Sequence, residues 1–347
     1  TYTIPNGCTA VKTVTVNALP APITGANGVC IGSTISLANA DMFGSWTSAN
    51  TSIATVNSIS GAVTGVAAGN TFITYTLPTG CYAIKPMQVN VSPLSSAGAT
   101  SACVGQTAVV GNPTPGGVWT SSAPGIASVD ASGIVTTGTL AGTADLRYTL
   151  PSTGCGVSYI FTVNPLPATI GGAQRVCKNA TITLSNTDAF GTWTSADASI
   201  ADVDGSGVVT GIGTGSTRIT YTLPTGCATS KAVTVNPLPA GISGLSNVCY
   251  GSTTSLLSTT PSGNWSSSDA SIATVSGSGI VSPVATSGVV TISYVITATG
   301  CAATRDVVVN PLPASIAGPA AVCSGTAVAY TNSDAGGIWS SSNPSVV

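Results

Sequence analysis

The chain of 347 residues contains no histidine and no glutamate, and only 5% of it is charged, against about 25% in an ordinary globular protein. Without those two residue types, acid and base chemistry would fall to ten scattered aspartates, paired only at Asp202 and Asp204. No Gly-x-Ser-x-Gly elbow stands in for the missing triad. Gly211-Ile-Gly-Thr-Gly215 has the wrong spacing for a phosphate or dinucleotide loop and precedes a strand. An enzyme is therefore not expected, and no cofactor or metal is called for; Asp202 and Asp204 read as a solvated turn. The net charge of -2 gives no basic footprint, so nucleic acid is excluded as an expected partner. Mean hydropathy is +0.44, yet it comes from Val, Ile and Ala alternating with Thr and Ser. No run of ~18 apolar residues exists to insert into a membrane.

What is present is a period. Trp46, Trp119, Trp193, Trp265 and Trp339 each stand 16 residues after a cysteine: Cys30, Cys103, Cys177, Cys249 and Cys323. Tyr2, Tyr75, Tyr148, Tyr221 and Tyr294 are 73 apart and precede a Gly-Cys pair at Cys8, Cys81, Cys155, Cys227 and Cys301. A close variant of Val-Asn-Pro-Leu-Pro-Ala follows. The chain is a tandem array, with complete units at 21–93, 94–166, 167–238 and 239–311, the C-terminal part of a unit at 1–20 and the N-terminal part of another at 312–347. Because the first residue falls inside a strand motif and the last just after Trp339, the chain is expected to be an excerpt of a longer polypeptide.

Unit 21–93 reads as short strands. Thr34–Leu37, Ser45–Ser48, Ser52–Val56, Gly61–Gly65, Thr71–Thr76 and Ile84–Val91 alternate polar and apolar residues and are separated by Gly, Asn, Ser or Pro. With a first strand before Cys30, about seven strands per unit predict an all-β array of small antiparallel sandwiches, essentially without helix. The single Trp of each unit, Trp46, Trp119, Trp193, Trp265 or Trp339, is expected in the core, because so small a domain needs a large buried side chain. The tyrosines are expected along the penultimate strand with the hydroxyl bonded near an edge.

These residues resemble a known family. Gly44-Ser-Trp-Thr-Ser-Ala-Asn-Thr-Ser-Ile-Ala-Thr-Val56, then Gly61-Ala-Val-Thr-Gly-Val66 and Gly69 before Ile73-Thr-Tyr75, look like the bacterial immunoglobulin-like domain of the group 2 type. The match recurs at 118–148, 191–221 and 263–294, and Trp339-Ser-Ser-Ser-Asn343 opens a fifth copy. Pro124, standing where the first unit has Thr51, and Pro283 depart from the pattern, and both suit a loop or edge position. The resemblance is specific for fold and weak for function, since such domains occur in adhesins, surface layers, phage proteins and as spacers in secreted enzymes. The added cysteine pair and Pro-Leu-Pro-Ala linker are similar to giant repetitive surface proteins of Bacteroidota. That resemblance implies a structural stalk on the extracellular bacterial surface, whose partners are neighbouring repeats of the same polypeptide or copies of itself in a fibre. Such a fibre, or a ligand- or carbohydrate-binding adhesin module, are the alternatives.

Ten cysteines at two fixed points of each repeat read as a disulfide framework of an oxidising compartment. Zinc fits poorly, with two thiols per unit about 50 residues apart and no His. Two pairings are open. Cys30 could join Cys81 within a unit, or Cys155 of the next, and loop entropy of roughly 4 against 5 kcal/mol does not decide. In an immunoglobulin-like sandwich the first strand runs parallel to the last. Cys30 would then lie at the last strand's end, and Cys81 at its start, about 25 Å away, beyond the ~6 Å that a bridge spans. This favours Cys30 with Cys155, Cys103 with Cys227 and Cys177 with Cys301, leaving Cys8, Cys81, Cys249 and Cys323 as half-pairs. One bridge inside each unit is the simpler alternative. The Pro-x-Pro linkers hold the backbone extended, and a rod spanning ~150 Å or more is the expected shape if each sandwich advances the axis by about 35 to 40 Å.

Overall fold

The computed structural model describes residues 1–346. Among them every regular element is a β-strand, 32 in all. Residues Thr1–Leu166 with the turn Thr225–Cys227 form one compact unit, and Pro167–Pro224 with the residues from Ala228 onward form a second.

In the first unit a short hairpin of β1 (Tyr2–Thr3) and β2 (Thr9–Ala10) precedes a complete sandwich. Its strands are β3 (Gly28–Cys30), β4 (Thr34–Ser36), β5 (Ser45–Ser48), β6 (Ala54–Val56), β7 (Ala62–Gly65), β8 (Gly69–Thr76) and β9 (Tyr82–Asn90). One sheet has the order β3-β9-β8-β5 and the other β4-β7-β6. All pairs are antiparallel except β3 with β9, which run parallel with Cys30 opposite Asn90. Alternation along β8 turns Thr71, Ile73 and Tyr75 inward and Asn70 and Phe72 outward, as a two-residue period requires. Ile73 and Tyr75 meet Trp46, Val63, Met87 and Val89 in the core. Burying each large apolar side chain contributes about 1.5–3 kcal/mol.

The second sandwich repeats the plan with Ser101–Cys103 parallel to Gly156–Asn164, and a short Ala97–Gly98 strand enlarges its other sheet to four. In the second unit the same order recurs in the sheet led by Arg175–Cys177 and again in that led by Asn247–Cys249.

Several strand ends differ from the sequence expectation, each for a local reason. Strand β6 begins at Ala54 rather than Ser52 because Asn50 Oδ1 accepts the Ser52 amide at 3.0 Å and its hydroxyl at 2.6 Å, an Asx turn that competes with the ladder. Pro86 lies inside β9, opposite Phe72, at a point that β3 does not reach. Pro124 sits in a turn. Pro283, expected in a loop or at an edge, instead ends the strand Ile280–Pro283 opposite Ala273, and that strand has neighbours on both sides. It occupies the place of Gly65, Thr137 and Gly211, whose amides donate to Ser33, Gln106 and Ala180. Proline at the last position forgoes only that one bond.

Candidate functional site

The cysteines sit where sheet topology sends them. Because β3 runs parallel to β9, Cys30 lies beside Asn90 at the end of the last strand, whereas Cys81 immediately precedes that strand's first residue, Tyr82. Cys155 likewise stands just ahead of Gly156–Asn164. The structure joins Cys30 to Cys155 and Cys103 to Cys227 in the first compact unit, and Cys177 to Cys301 in the second. Each pair has Cα atoms 5.6 Å apart, the spacing a relaxed bridge adopts. Cys155, Cys227 and Cys301 are buried. Cys8, Cys249 and Cys323 are exposed and Cys81 is half-buried, and these four carry no bridge. A bridge closing about 125 residues stabilises by up to roughly 5 kcal/mol through the unfolded chain.

Beneath the bridges each complete repeat carries the same aromatic pair. Trp46 faces Tyr75 across β5 and β8 with ring centroids 4.7 Å apart, and Trp119–Tyr148, Trp193–Tyr221 and Trp265–Tyr294 follow at 5.1, 4.8 and 4.8 Å. Trp46 and Trp119 are buried, and Trp193 and Trp265 half-buried against the same cores. Trp339 departs from the expected core position and is 57% exposed, because no tyrosine-bearing strand pairs with it. The tyrosine hydroxyl closes a loop from both directions: Tyr75 donates to the Asp41 carbonyl at 2.7 Å and accepts the Gly44 amide at 2.9 Å. Tyr148, Tyr221 and Tyr294 do the same with Thr114 and Gly117, Asp188 and Gly191, and Thr260 and Gly263. A Cβ on Gly44 would come within 2.3 Å of the Tyr75 ring, so the loop passes there only as glycine.

The same loop clasps the linker. The Asp41 carboxylate accepts the Ala21 amide at 2.6 Å while the Asn39 side chain donates to the Ala21 carbonyl at 2.5 Å. Asp188 and Asn186 hold Ala168 alike. In the second repeat Thr114 and Asn112 hold Leu94, and in the fourth Thr260 accepts the Ala240 amide. Odd repeats thus use aspartate and even ones threonine.

Elsewhere four carboxylates serve turns. The Ile134 amide, followed by the Ser132 hydroxyl, holds Asp130 below the ordinary carboxylate value, and the Ser206 hydroxyl with the Val208 amide does so for Asp204. The Ser199 hydroxyl and amide lower Asp197, and those of Ser271 lower Asp269. Asp202, expected in a turn with Asp204, instead lies in the strand Ala201–Val203 opposite Thr210, exposed, and accepts the Val203 amide. No group of three or more metal-ligating side chains occurs among the described residues, and no helix there is long and apolar enough to cross a membrane.

Sequence reasoning passed over Phe43 and Phe190. Both hold positive φ, 67° and 66°, where a bulky residue is strained, and both are almost fully exposed. Gly116 and Ser262 take the same conformation at the matching place in the even repeats. That glycine in an otherwise equivalent loop was the available signal.

Among known proteins, the chain is similar to an invasin, "a bacterial integrin-binding protein", at 16% identity over 85% of this chain and 80% of that one, with a TM-score of 0.29. It is similar to domains 1–6 of the surface-layer protein SbsC at 15% identity over 85% of this chain and 53% of that one, TM-score 0.22. A C-terminal fragment of intimin in complex with the intimin-binding domain of its translocated receptor is 18% identical over 43% of this chain and 66% of that one, TM-score 0.29. No curated protein matches the sequence. The family model of the bacterial Ig-like domain (group 2) matches residues 31–81 and 160–235, and it is to this domain type that those two segments of the all-β array are assigned.

Proposed function

We propose that this protein is a structural stalk segment of an extracellular bacterial surface filament or adhesin, whose disulfide-stabilised Ig-like beads project a distal functional domain. The observation that carries the reading is the bridge pattern. Each of the three bridges ties the first cysteine of one repeat to the second cysteine of the next, so the covalent investment goes into holding repeats together. An oxidising, extracellular location supports such bridges. The conserved plan of the repeats supports a mechanical rather than a chemical role, because aspartates that could do chemistry are engaged in turns. Its partners are neighbouring repeats of the same chain, and it performs no catalysis.

A ligand-binding adhesin module is the second reading, favoured by the strained, exposed Phe43 and Phe190, since strain of this kind collects at functional positions. Negative-stain imaging of the purified segment separates the readings from fibre assembly. A thin single beaded rod is expected; bundles of constant width would make self-assembly the function. Substituting both phenylalanines by glycine is expected to leave the rod intact.

A further inference from the structure

One count recurs at every junction. Cys8 to Cys30, Cys81 to Cys103, Cys155 to Cys177, Cys227 to Cys249 and Cys301 to Cys323 are each 22 residues apart. The steps 81–103, 155–177 and 227–249 each leave one repeat along its last strand, cross the linker and end on the next repeat's first strand. The bridges join alternate steps. Cys30–Cys155 and Cys177–Cys301 place the steps 8–30, 155–177 and 301–323 in one covalent series. Cys103–Cys227 places 81–103 and 227–249 in a second.

We infer that the first of these two interleaved series is the tension-bearing element of the protein, so that a pull along the chain runs through its steps and bridges and bypasses the folded sandwiches. Tension follows the shortest covalent path, and between Cys30 and Cys301 that path crosses two bridges and only the 22 residues from Cys155 to Cys177. The sandwich residues between bridged cysteines hang beside the path as closed loops spanning 125 and 124 positions.

The step itself has little slack. Nine of its residues are the strand Gly156–Asn164, already rising about 3.3 Å each. Pro165-Leu166-Pro167 favours the polyproline rise of about 3.1 Å, against a ceiling of about 3.6 Å for any residue. Slack is confined to the stretch before Arg175, where Gly172 turns with φ of 97°. An Ig-like bead in an unbridged chain would unfold under load and release about 73 residues, or roughly 250 Å. Here that release is closed off until a bridge breaks.

The inference deepens the stalk reading, but its test reads the reach of single chains, so it can fail or hold whatever imaging shows. Full chains are stretched by their two ends to maximal length. The oxidised chain has roughly 100 residues in line and should reach about 350 Å, against about 1,200 Å after reduction with a phosphine. Two paired variants then separate the series. Cys30→Ser with Cys155→Ser is expected to lengthen the oxidised chain about 2-fold, because the shortest remaining path runs from Cys103 to Cys227, back to Cys177 and on to Cys301. Cys103→Ser with Cys227→Ser is expected to leave its length unchanged, because that bridge lies off the shortest path. Maximal reach depends on connectivity and not on whether a variant's repeats stay folded. Equal lengthening by both pairs, as bridges within repeats would give, or lengthening by neither, overturns the inference.

Discussion

The fourth repeat and the stretch beginning at residue 312 share the 16-residue step from Cys249 to Trp265 and from Cys323 to Trp339, and the Trp-Ser-Ser-Ser motif that follows, and they end differently. Gly263-Asn-Trp-Ser-Ser267 forms a strand paired with Gly288–Ile296, while Gly337-Ile-Trp-Ser-Ser341 forms none. Trp265 is half-buried against Tyr294, and Trp339 lies exposed. The short-range hydrogen bonds nevertheless form as they do in complete repeats. Asp334 and Asn332 clasp Ala314 as Asp188 and Asn186 clasp Ala168, and Asn343 caps Ser345 as Asp269 caps Ser271. Turns and clasps are therefore written in the neighbouring residues. The ladder and the core exist only where the tyrosine strand arrives to pair, because strand preference is chiefly packing on a partner.

Removing that partner should reproduce the difference inside a complete repeat. Tyr294→Ala is expected to cost the fourth repeat about 3–5 kcal/mol, as loss of a buried aromatic does. Hydrogen exchange would show it as lost protection along Gly263–Ser267, with the Asp269 turn unaffected; protection retained would break the comparison. Tyr221→Phe keeps the ring but orphans the Gly191 amide and the Asp188 carbonyl. Its expected cost, about 1–3 kcal/mol, should appear in the denaturation midpoint of the third repeat.

A change in the opposite direction sharpens the role of the core. Thr217 is buried with a hydroxyl that has no partner, where the second and fourth repeats place Ala144 and Val290. Thr217→Val should stabilise by about 1 kcal/mol, read from the melting temperature. The smallest effect concerns pH. Asp130, Asp197, Asp204 and Asp269 have folded values lowered from 3.8. Their turns therefore contribute fully above the unfolded value and lose that contribution as pH falls through the lowered ones. With no His or Glu, stability should be flat from about pH 5 to about 8 and fall only in stronger acid.

Much of the fold was legible because alternation marks each strand and Gly, Asn and Pro mark each turn. The ends were not, where a side chain such as Asn50 takes the amide that the ladder would use. The place of each cysteine relative to the first and last strands could be read from its neighbours, since parallel pairing of those strands follows from the sandwich. The exposure of Trp339 could not, because its motif says nothing of a partner strand. Phe43 and Phe190 were hidden for another reason: their left-handed backbone is visible only against Gly116, which stands at the same place in the second repeat. The tyrosine positions were plain, but the two hydrogen bonds of each hydroxyl join residues 30 or more apart, and no local pattern reports them.

The claim on which the account rests is that bridges run from repeat to repeat. Mass spectrometry of a non-reduced proteolytic digest tests it directly. The expected disulfide-linked peptides are those of Cys30 with Cys155, Cys103 with Cys227 and Cys177 with Cys301; a linked Cys30–Cys81 or Cys103–Cys155 peptide would contradict it.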